Sequence, residues 1–353
     1  MRTNPRFLFL QTNQRCNLKC THCHYWKKDD SDRGNYLTMA RRAELITEFK
    51  ELGGETLVTC GGEPMLDLYD YFLLCRIARE SKLKMFSVVN GTMISTADRA
   101  AMMVVEGPSE ITISLDHWKA SEHDRLRGVK GSHFAAIRAI KLLVEAREKY
   151  RVPTPIYAMT ILSEDTWRTL DQFYQFAFEL GVDKLKLNIA QPTFQGTSDD
   201  EFFANSIVKD VDGCMAMIRH CDSLYGTARN PKWLSDVEMY LRSVAKCKSP
   251  LAGWAATRDR GTDEAICNSY DRNIMIDLYG NARLCFNTIF PSFPLQKRGD
   301  LEYYWQEWST PLRDCMVGCK QFCGISHSVR ASESTIKELP GEALMWPALR
   351  RPA

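Results

Sequence analysis

Residues 16–23 read Cys16-Asn17-Leu18-Lys19-Cys20-Thr21-His22-Cys23 and place three cysteines within eight positions. They follow residues 7–12, which begin with four apolar residues and are predicted to be the first β-strand. A loop there lies at the carboxyl end of a strand, where parallel α/β folds bind ligands. Three thiolates suit a [4Fe–4S] cluster with one iron left open. A four-ligand zinc site, completed by His22 or His24, is the alternative that the spacing leaves open.

Short apolar runs and amphipathic stretches alternate from this loop to about residue 225. This alternation predicts a parallel sheet with helices on its outside, either doubly wound or a complete or partial barrel. The predicted strands are 7–12, 56–60, 84–89, 110–115, 156–162 and 184–189. The predicted helices lie near 38–53, 67–82, 95–106, 131–150 and 165–180, with another after 200.

The last third of the chain has a different character. Proline and glycine interrupt short segments, and the clearest strand pair is a hairpin of 273–278 and 282–286 around Gly280. Such a region, with little contiguous apolar sequence, is expected to need a metal for its stability. We therefore predict a barrel or sheet domain over 1–225, a smaller metal-binding domain over 226–330 and a tail over 331–353.

Composition narrows the possible functions. The chain has 353 residues, a formal charge of +2 and 13 cysteines. The near-neutral charge argues against nucleic acid or anionic lipid as a partner, and no apolar stretch is long enough for a membrane span. Without a signal peptide we expect a cytoplasmic protein, in which clustered cysteines bind metals or react rather than form disulfides. The scattered cysteines are predicted to be core residues: Cys60, Cys75, Cys214 and Cys221.

Further motifs follow the predicted strands in order. They are Gly61-Gly62-Glu63-Pro64, Asn90-Gly91-Thr92, Ser114 and Arg127-Gly128. Together with the CxxxCxxC loop, this series over residues 6–225 resembles the radical S-adenosylmethionine (SAM) superfamily. The resemblance implies an α/β fold with a partial (βα)6 TIM barrel, a [4Fe–4S] cluster and SAM.

The same resemblance implies a role for each motif. Cys16, Cys20 and Cys23 would bind the cluster. The backbone of Gly61, Gly62, Glu63 and Pro64 would meet the methionyl amino group of SAM. Asn90 lies in a turn that the family often carries, and residues such as Ser114 and Arg127 bind the ribose and carboxylate in relatives. His22 takes the position of an aromatic residue that packs against the adenine. Read singly, each motif is also an ordinary tight loop, turn, strand-end hydroxyl or surface cation.

A second group of cysteines lies in the last third of the chain. Cys267 and Cys285 flank Gly280 with the spacing C-x12-G-x4-C, which resembles the Twitch/SPASM extensions of the superfamily. The later cysteines depart from the SPASM pattern, which is C-x2-C-x5-C-x3-C with one more cysteine. The resemblance implies one auxiliary [4Fe–4S] cluster held by Cys267, Cys285 and two of Cys315, Cys319 and Cys323. His327 could be a further ligand but is expected to be a surface or supporting residue, and structural zinc is the alternative for this domain.

The expected activity is abstraction of a hydrogen atom from an unactivated C–H bond, leading to dehydrogenation or epimerisation. Because the barrel begins near residue 6, with no room for a leader-binding domain, we expect a small sugar, aminoglycoside or nucleoside as the substrate. Peptide modification is the alternative, and an RNA-modifying enzyme and a zinc-stabilised binding protein stay as hypotheses. The resemblance implies a flavodoxin- or ferredoxin-type electron donor.

Cys247 lies outside both cysteine groups. It is predicted to be a hydrogen-atom donor, a further cluster ligand or an ordinary surface thiol. The residue after Cys285 is Phe286 rather than an acid, so no general base can be named.

Overall fold

The computed structural model describes residues 4–190, 204–226, 231–247, 269–285 and 291–317. Six strands run parallel and in chain order through the first part of the fold. They are β1 (Phe7–Asn13), β2 (Thr56–Gly61), β3 (Lys84–Val89), β4 (Glu110–Ser114), β5 (Ile156–Leu162) and β6 (Lys184–Ile189). The sequence prediction of six strands is thus confirmed, with ends that differ by at most one residue.

Helices connect these strands. They are α1 (Met39–Glu51), α2 (Leu68–Glu80), α3 (Ala97–Val105), α4 (Ala120–Arg127), α5 (Ser132–Tyr150) and α6 (Leu170–Glu179), followed by α7 (Val211–Tyr225) and α8 (Pro231–Val244). Thr38 caps α1 by accepting a hydrogen bond from the backbone N–H of Arg41, which satisfies one free donor of the first turn. The short polar helix α4 was not predicted. The fold is α/β, and the partial (βα)6 barrel is confirmed.

The two faces of the sheet differ in burial. Along β5 and β6, fully buried residues alternate with half-buried ones. Fully buried residues such as Ile156 and Leu185 pack in one core with the helices. Burial of each such side chain stabilises the folded state by roughly 1.5–3 kcal/mol. The half-buried residues lie on the other side of the sheet. We call this side the concave face, formed by Phe9, Val58, Phe86, Tyr157 and Met159.

The hairpin of the last third is joined directly to the barrel sheet. Its first strand, β7 (Asn273–Ile276), pairs in parallel with β1, and its second, β8 (Asn281–Arg283), pairs antiparallel with β7. Gly280 has a φ of +87°, as the predicted turn requires. The sheet order is therefore β6-β5-β4-β3-β2-β1-β7-β8-β9, with β9 at Phe293–Pro294. The sheet continues past residue 226, where the predicted domain boundary stays a prediction.

The remaining described residues are mostly helical. They form α9 (Asp300–Tyr303), a π-helical turn (Tyr304–Trp308) and α10 (Thr310–Met316). The predicted tail 331–353 lies outside the described residues. Within the described part of the chain, no helix combines the length and apolar character needed to cross a membrane.

Candidate active site at the carboxyl edge of the barrel

The cysteine loop follows β1, and its three thiols lie close enough to influence one another. Cys20 is buried, whereas Cys16 and Cys23 are half-buried. Burial raises the pKa of the Cys20 thiol to about 11, and the charges of Cys16 and Cys23 act in the same direction. Three thiols that each disfavour ionisation of the next are suited to a cation that keeps them deprotonated.

The geometry of the loop can be compared with the metal centres that it might hold. Among the described residues, no three His, Cys, Asp or Glu side chains gather closely enough to share one metal ion. In a [4Fe–4S] cluster each thiolate binds a different iron, so its ligands are spread more widely than those of a single ion. Three neighbouring thiols on one loop, at the edge where α/β folds bind ligands, fit such a cluster and leave one iron without a protein ligand.

Backbone hydrogen bonds attach the cysteine loop to the end of α4. The N–H of Lys19 donates to the carbonyl of Arg127 at 3.0 Å, and the N–H of Thr21 donates to Leu126 at 2.9 Å. Gly128 follows with a φ of +66°, and a Cβ there would lie 2.2 Å from the carbonyl oxygen of Lys19. The Arg127-Gly128 pair therefore makes room for the loop that carries the thiols.

The Gly-Gly-Glu-Pro loop after β2 is bonded to the same segment from the other side. The N–H of Gly62 donates to Asn13 at 2.9 Å, and that of Glu63 donates to Arg15 at 2.7 Å. A Cβ on Gly62 would lie 1.9 Å from the carbonyl oxygen of Arg15, closer than any side chain can approach. The two loops thus meet through their backbones, and Pro64 is buried.

Glu63 and Asn90 connect the end of β3 to the cysteine loop and the Gly-Gly-Glu-Pro loop. The Glu63 carboxylate accepts hydrogen bonds from the backbone N–H of Asn90 at 2.7 Å and of Met65 at 3.1 Å. Burial raises its pKa to about 7, and these two donors oppose the rise. The Asn90 side chain in turn donates to Asn17 at 2.8 Å, between two of the cysteines. The turn after β3 is therefore bonded to both neighbouring loops.

A buried ion pair lies behind the cysteine loop, and it includes a residue that the sequence analysis did not single out. The Arg127 guanidinium donates to Asp116 at 3.0 Å, and its Nε lies 2.6 Å from the second carboxylate oxygen. Its Nη1 lies 3.7 Å from the sulfur of Cys20. Burial alone would raise the pKa of Asp116, but Arg127 above all holds it below its usual value. The signal for Asp116 was its place, two residues after Ser114 at the end of β4.

His22 and Ser114 complete the predicted binding residues. Ser114 ends β4 and is half-buried. Burial lowers the pKa of His22 to about 4, partly opposed by the Asp116 carboxylate. The imidazole is therefore neutral near pH 7 and offers an uncharged ring against which an adenine could pack. The structure brings the strand-end motifs to one edge of the sheet, and the role of each residue in holding SAM stays a prediction.

The predicted auxiliary centre is described only in part. Cys285 is half-buried two residues after β8, and Cys315 is exposed on α10. Cys267, Cys319, Cys323 and the neighbouring His327 and Phe286 lie outside the described residues. The auxiliary cluster and its ligand set therefore stay predictions.

Cys247 lies just beyond the end of α8. Its thiol donates to the carbonyl of Ser243 at 3.4 Å, and burial raises its pKa. These interactions keep the thiol protonated at the end of its own helix. Its predicted role as a hydrogen-atom donor stays a prediction.

Fold and site together define a partial barrel with a loop of three cysteines at the carboxyl edge of its sheet. Comparison with known families gives the class: residues 10–177 match the radical SAM superfamily. The chain therefore carries a radical SAM domain over these residues, the kind of domain whose cofactors are a [4Fe–4S] cluster and SAM.

Several curated proteins are similar to this chain. An AdoMet-dependent heme synthase of Methanosarcina barkeri is 26% identical over 201 residues, which are 57% of this chain and 55% of the relative. A GTP 3′,8-cyclase of a Synechococcus species is 32% identical over 126 residues, 35% of this chain and 36% of the relative. The chain thus spans about half the length of the first relative and about a third of the second.

A solved structure shows the same fold. Streptococcus suis SuiB, in a crystal structure with S-adenosylmethionine bound, has a TM-score of 0.59 and 13% identity. The match covers 89% of this chain and 66% of SuiB. This likeness confirms the barrel fold.

Proposed function

We propose that this enzyme cleaves SAM reductively and uses the resulting radical to take a hydrogen atom from a small polar metabolite, in a dehydrogenation or epimerisation. One observation carries the proposal: the cysteine loop, the Gly-Gly-Glu-Pro loop and the Asn90 turn are hydrogen-bonded to one another at the carboxyl edge of the barrel. The cluster, when bound, supplies the electron that splits SAM into methionine and a 5′-deoxyadenosyl radical.

Each group of side chains has a proposed task at this edge. Cys16, Cys20 and Cys23 hold the cluster, and Arg127 holds the loop in place while its charge faces Cys20. The backbone of residues 61–64 lies beside the cysteines and orients the methionyl end of SAM. Ser114 orients the ribose, and the neutral His22 ring packs near the adenine. Burial of these groups excludes water from a reactive radical.

The concave face offers the surface on which a substrate would lie. Phe9, Val58, Phe86 and Met159 are half-buried there, and none of them belongs to the core formed with the helices. A small molecule is favoured because the curated relatives are named for heme and for GTP. The likeness to SuiB is a likeness of fold and gives no support to a peptide substrate.

The test is formation of 5′-deoxyadenosine from SAM by anaerobically reconstituted protein with dithionite or a reduced flavodoxin-type donor. We expect product from the wild type and none from Cys20→Ala. The matched control is Cys75→Ala, which removes a buried thiol from helix α2. Normal SAM cleavage by Cys20→Ala would contradict the proposal.

The two proposed outcomes differ in the fate of the substrate radical. Epimerisation would return a hydrogen atom from a thiol such as Cys247 and leave a thiyl radical for the electron donor to reduce. Dehydrogenation would instead pass one electron from the substrate radical to an oxidised cluster and release a proton. In deuterated water, epimerisation places solvent deuterium in the product, and Cys247→Ala abolishes it. A product without solvent deuterium, formed equally by Cys247→Ala, indicates dehydrogenation.

A further inference from the structure

One buried guanidinium in the described part of the chain has no partner. Arg283, the last residue of β8, is 8% exposed, and its Nε is buried without a hydrogen-bond acceptor. Other buried arginines are bonded: Arg42 donates to the carbonyl of Thr12, and Arg127 pairs with Asp116. A buried charge without a partner destabilises the folded protein, and a bound anion would offset that cost.

The sheet register places Arg283 on the concave face. Arg283 lies opposite Met275 in the β7–β8 pair, Met275 is level with Phe9, and Phe9 is level with Val58. Paired residues of neighbouring strands share a face. The next residue of β7, Ile276, packs in the helix-covered core and so points the other way. Arg283 therefore borders the proposed substrate surface.

A second cation, Lys28, lies within electrostatic range of Arg283. The Lys28 ammonium is 4.7 Å from the ring centre of Tyr25, just past the cysteine loop. Desolvation and the charge of Arg283 lower the pKa of Lys28, and Cys23 opposes them. Burial raises the pKa of Cys60, at the end of β2, to about 12, and Arg283 opposes that rise. Arg283 is thus close to both Lys28 and Cys60.

No negative charge balances this pair of cations within the described residues. Neither Arg283 nor Lys28 forms an ion pair with a carboxylate there. Lys28 packs over the Tyr25 ring, and the charge of Arg283 acts on Lys28, Cys60 and the buried Tyr304. A buried arginine without an acidic partner, with a lysine within electrostatic range, is suited to a carboxylate or phosphate, which the guanidinium can bind with two parallel hydrogen bonds.

We propose that Arg283 and Lys28 form an anion-binding site that holds a carboxylate or phosphate group of the substrate on the concave face. The inference rests on the proposed function and narrows its substrate class from polar to anionic metabolites. The anion would lie beside the hairpin on the concave face, near Phe9 and Val58.

The test measures anion binding to the reconstituted holoenzyme by isothermal titration calorimetry, with SAM in excess and ionic strength held constant. The two probes are sodium pyrophosphate and sodium succinate. We expect saturable binding of at least one probe by the wild type, and affinity lower by about tenfold or more in Arg283→Gln. Lys28→Gln, at an exposed position that should not disturb folding, is expected to weaken binding less. The control is Arg298→Gln, whose side chain pairs with Glu51 at the surface.

Preference for pyrophosphate would identify a phosphate site, and preference for succinate a carboxylate site. The proposal is overturned if neither probe binds to the wild type, or if Lys28→Gln and Arg283→Gln bind as the wild type does. Binding seen only without SAM would also overturn it, because the carboxylate of SAM itself would then occupy the site. Formation of 5′-deoxyadenosine is measured separately on the wild type. Its absence alongside saturable binding would remove the proposed function and leave the anion site standing.

Discussion

Asp116→Asn removes the negative charge from the ion pair behind the cysteine loop while keeping the size of the side chain. The pair is well shielded from water, since the Asp116 and Arg127 side chains are 2% and 10% exposed. Removing one partner of a buried pair costs about 3–5 kcal/mol because the other charge stays buried. We expect the lower end, about 3 kcal/mol, since Arg127 still faces the sulfur of Cys20.

The assay is thermal unfolding of the reconstituted protein under anaerobic conditions. For a domain of this size, such a loss lowers the melting temperature by roughly 6–12 °C. The matched control is Asp212→Asn, which breaks an Arg242 pair whose side chains are 50% and 83% exposed. Exposed pairs contribute little to stability, so the control should melt as the wild type does.

The double variant Asp116→Asn/Arg127→Met separates a lost ion pair from general damage. Because it removes both charges together, it should recover much of the stability that the single change loses. The reasoning is refuted if Asp116→Asn melts like Asp212→Asn. It is also refuted if the double variant is destabilised by the sum of its two single changes.

Three further results are expected. Gly62→Ala should lower the melting temperature and weaken SAM binding, because its Cβ would lie 1.9 Å from the carbonyl oxygen of Arg15. The control Gly34→Ala places its Cβ where no atom lies within 4 Å, so it should change neither the melting temperature nor SAM binding. Burial lowers the pKa of His123 to about 3, so only the unfolded chain takes up a proton at this residue as the pH falls below 6.5. This difference should lower the free energy of unfolding by about 2 kcal/mol between pH 7 and pH 5. Urea unfolding of His123→Asn should show a correspondingly flatter pH dependence, and an unchanged slope would be evidence against the prediction. Cys285→Ala should reduce the iron content from about eight toward about four atoms per chain and keep SAM cleavage, and unchanged iron would contradict the predicted auxiliary cluster.

The strands of the barrel could be read closely from the sequence. Residues 84–89, 156–162 and 184–189 form strands at the predicted positions. Their apolar residues face a helix-covered core on one side, which leaves a strong pattern in the sequence. The loops after β1, β2 and β3 carry the cysteine, glycine and asparagine motifs, and so the candidate site was found from those motifs.

Other features depend on contacts that no local pattern records. Helix α4 is too polar to show a helical apolar period, and it forms because its end docks on the cysteine loop. Asp116 gains its importance from Arg127, eleven residues further along the chain. The pairing of β7 with β1 joins segments more than 250 residues apart, and only that register places Arg283 on the concave face.

The central claim is that Cys16, Cys20 and Cys23 hold a cluster with one iron open to SAM. The most direct test is the electron paramagnetic resonance spectrum of dithionite-reduced protein carrying Cys267→Ala and Cys285→Ala, recorded with and without SAM. We predict a signal from the remaining cluster whose g values shift when SAM is added, and no such signal after the further change Cys20→Ala. A reduced cluster whose spectrum is the same with and without SAM would contradict the account.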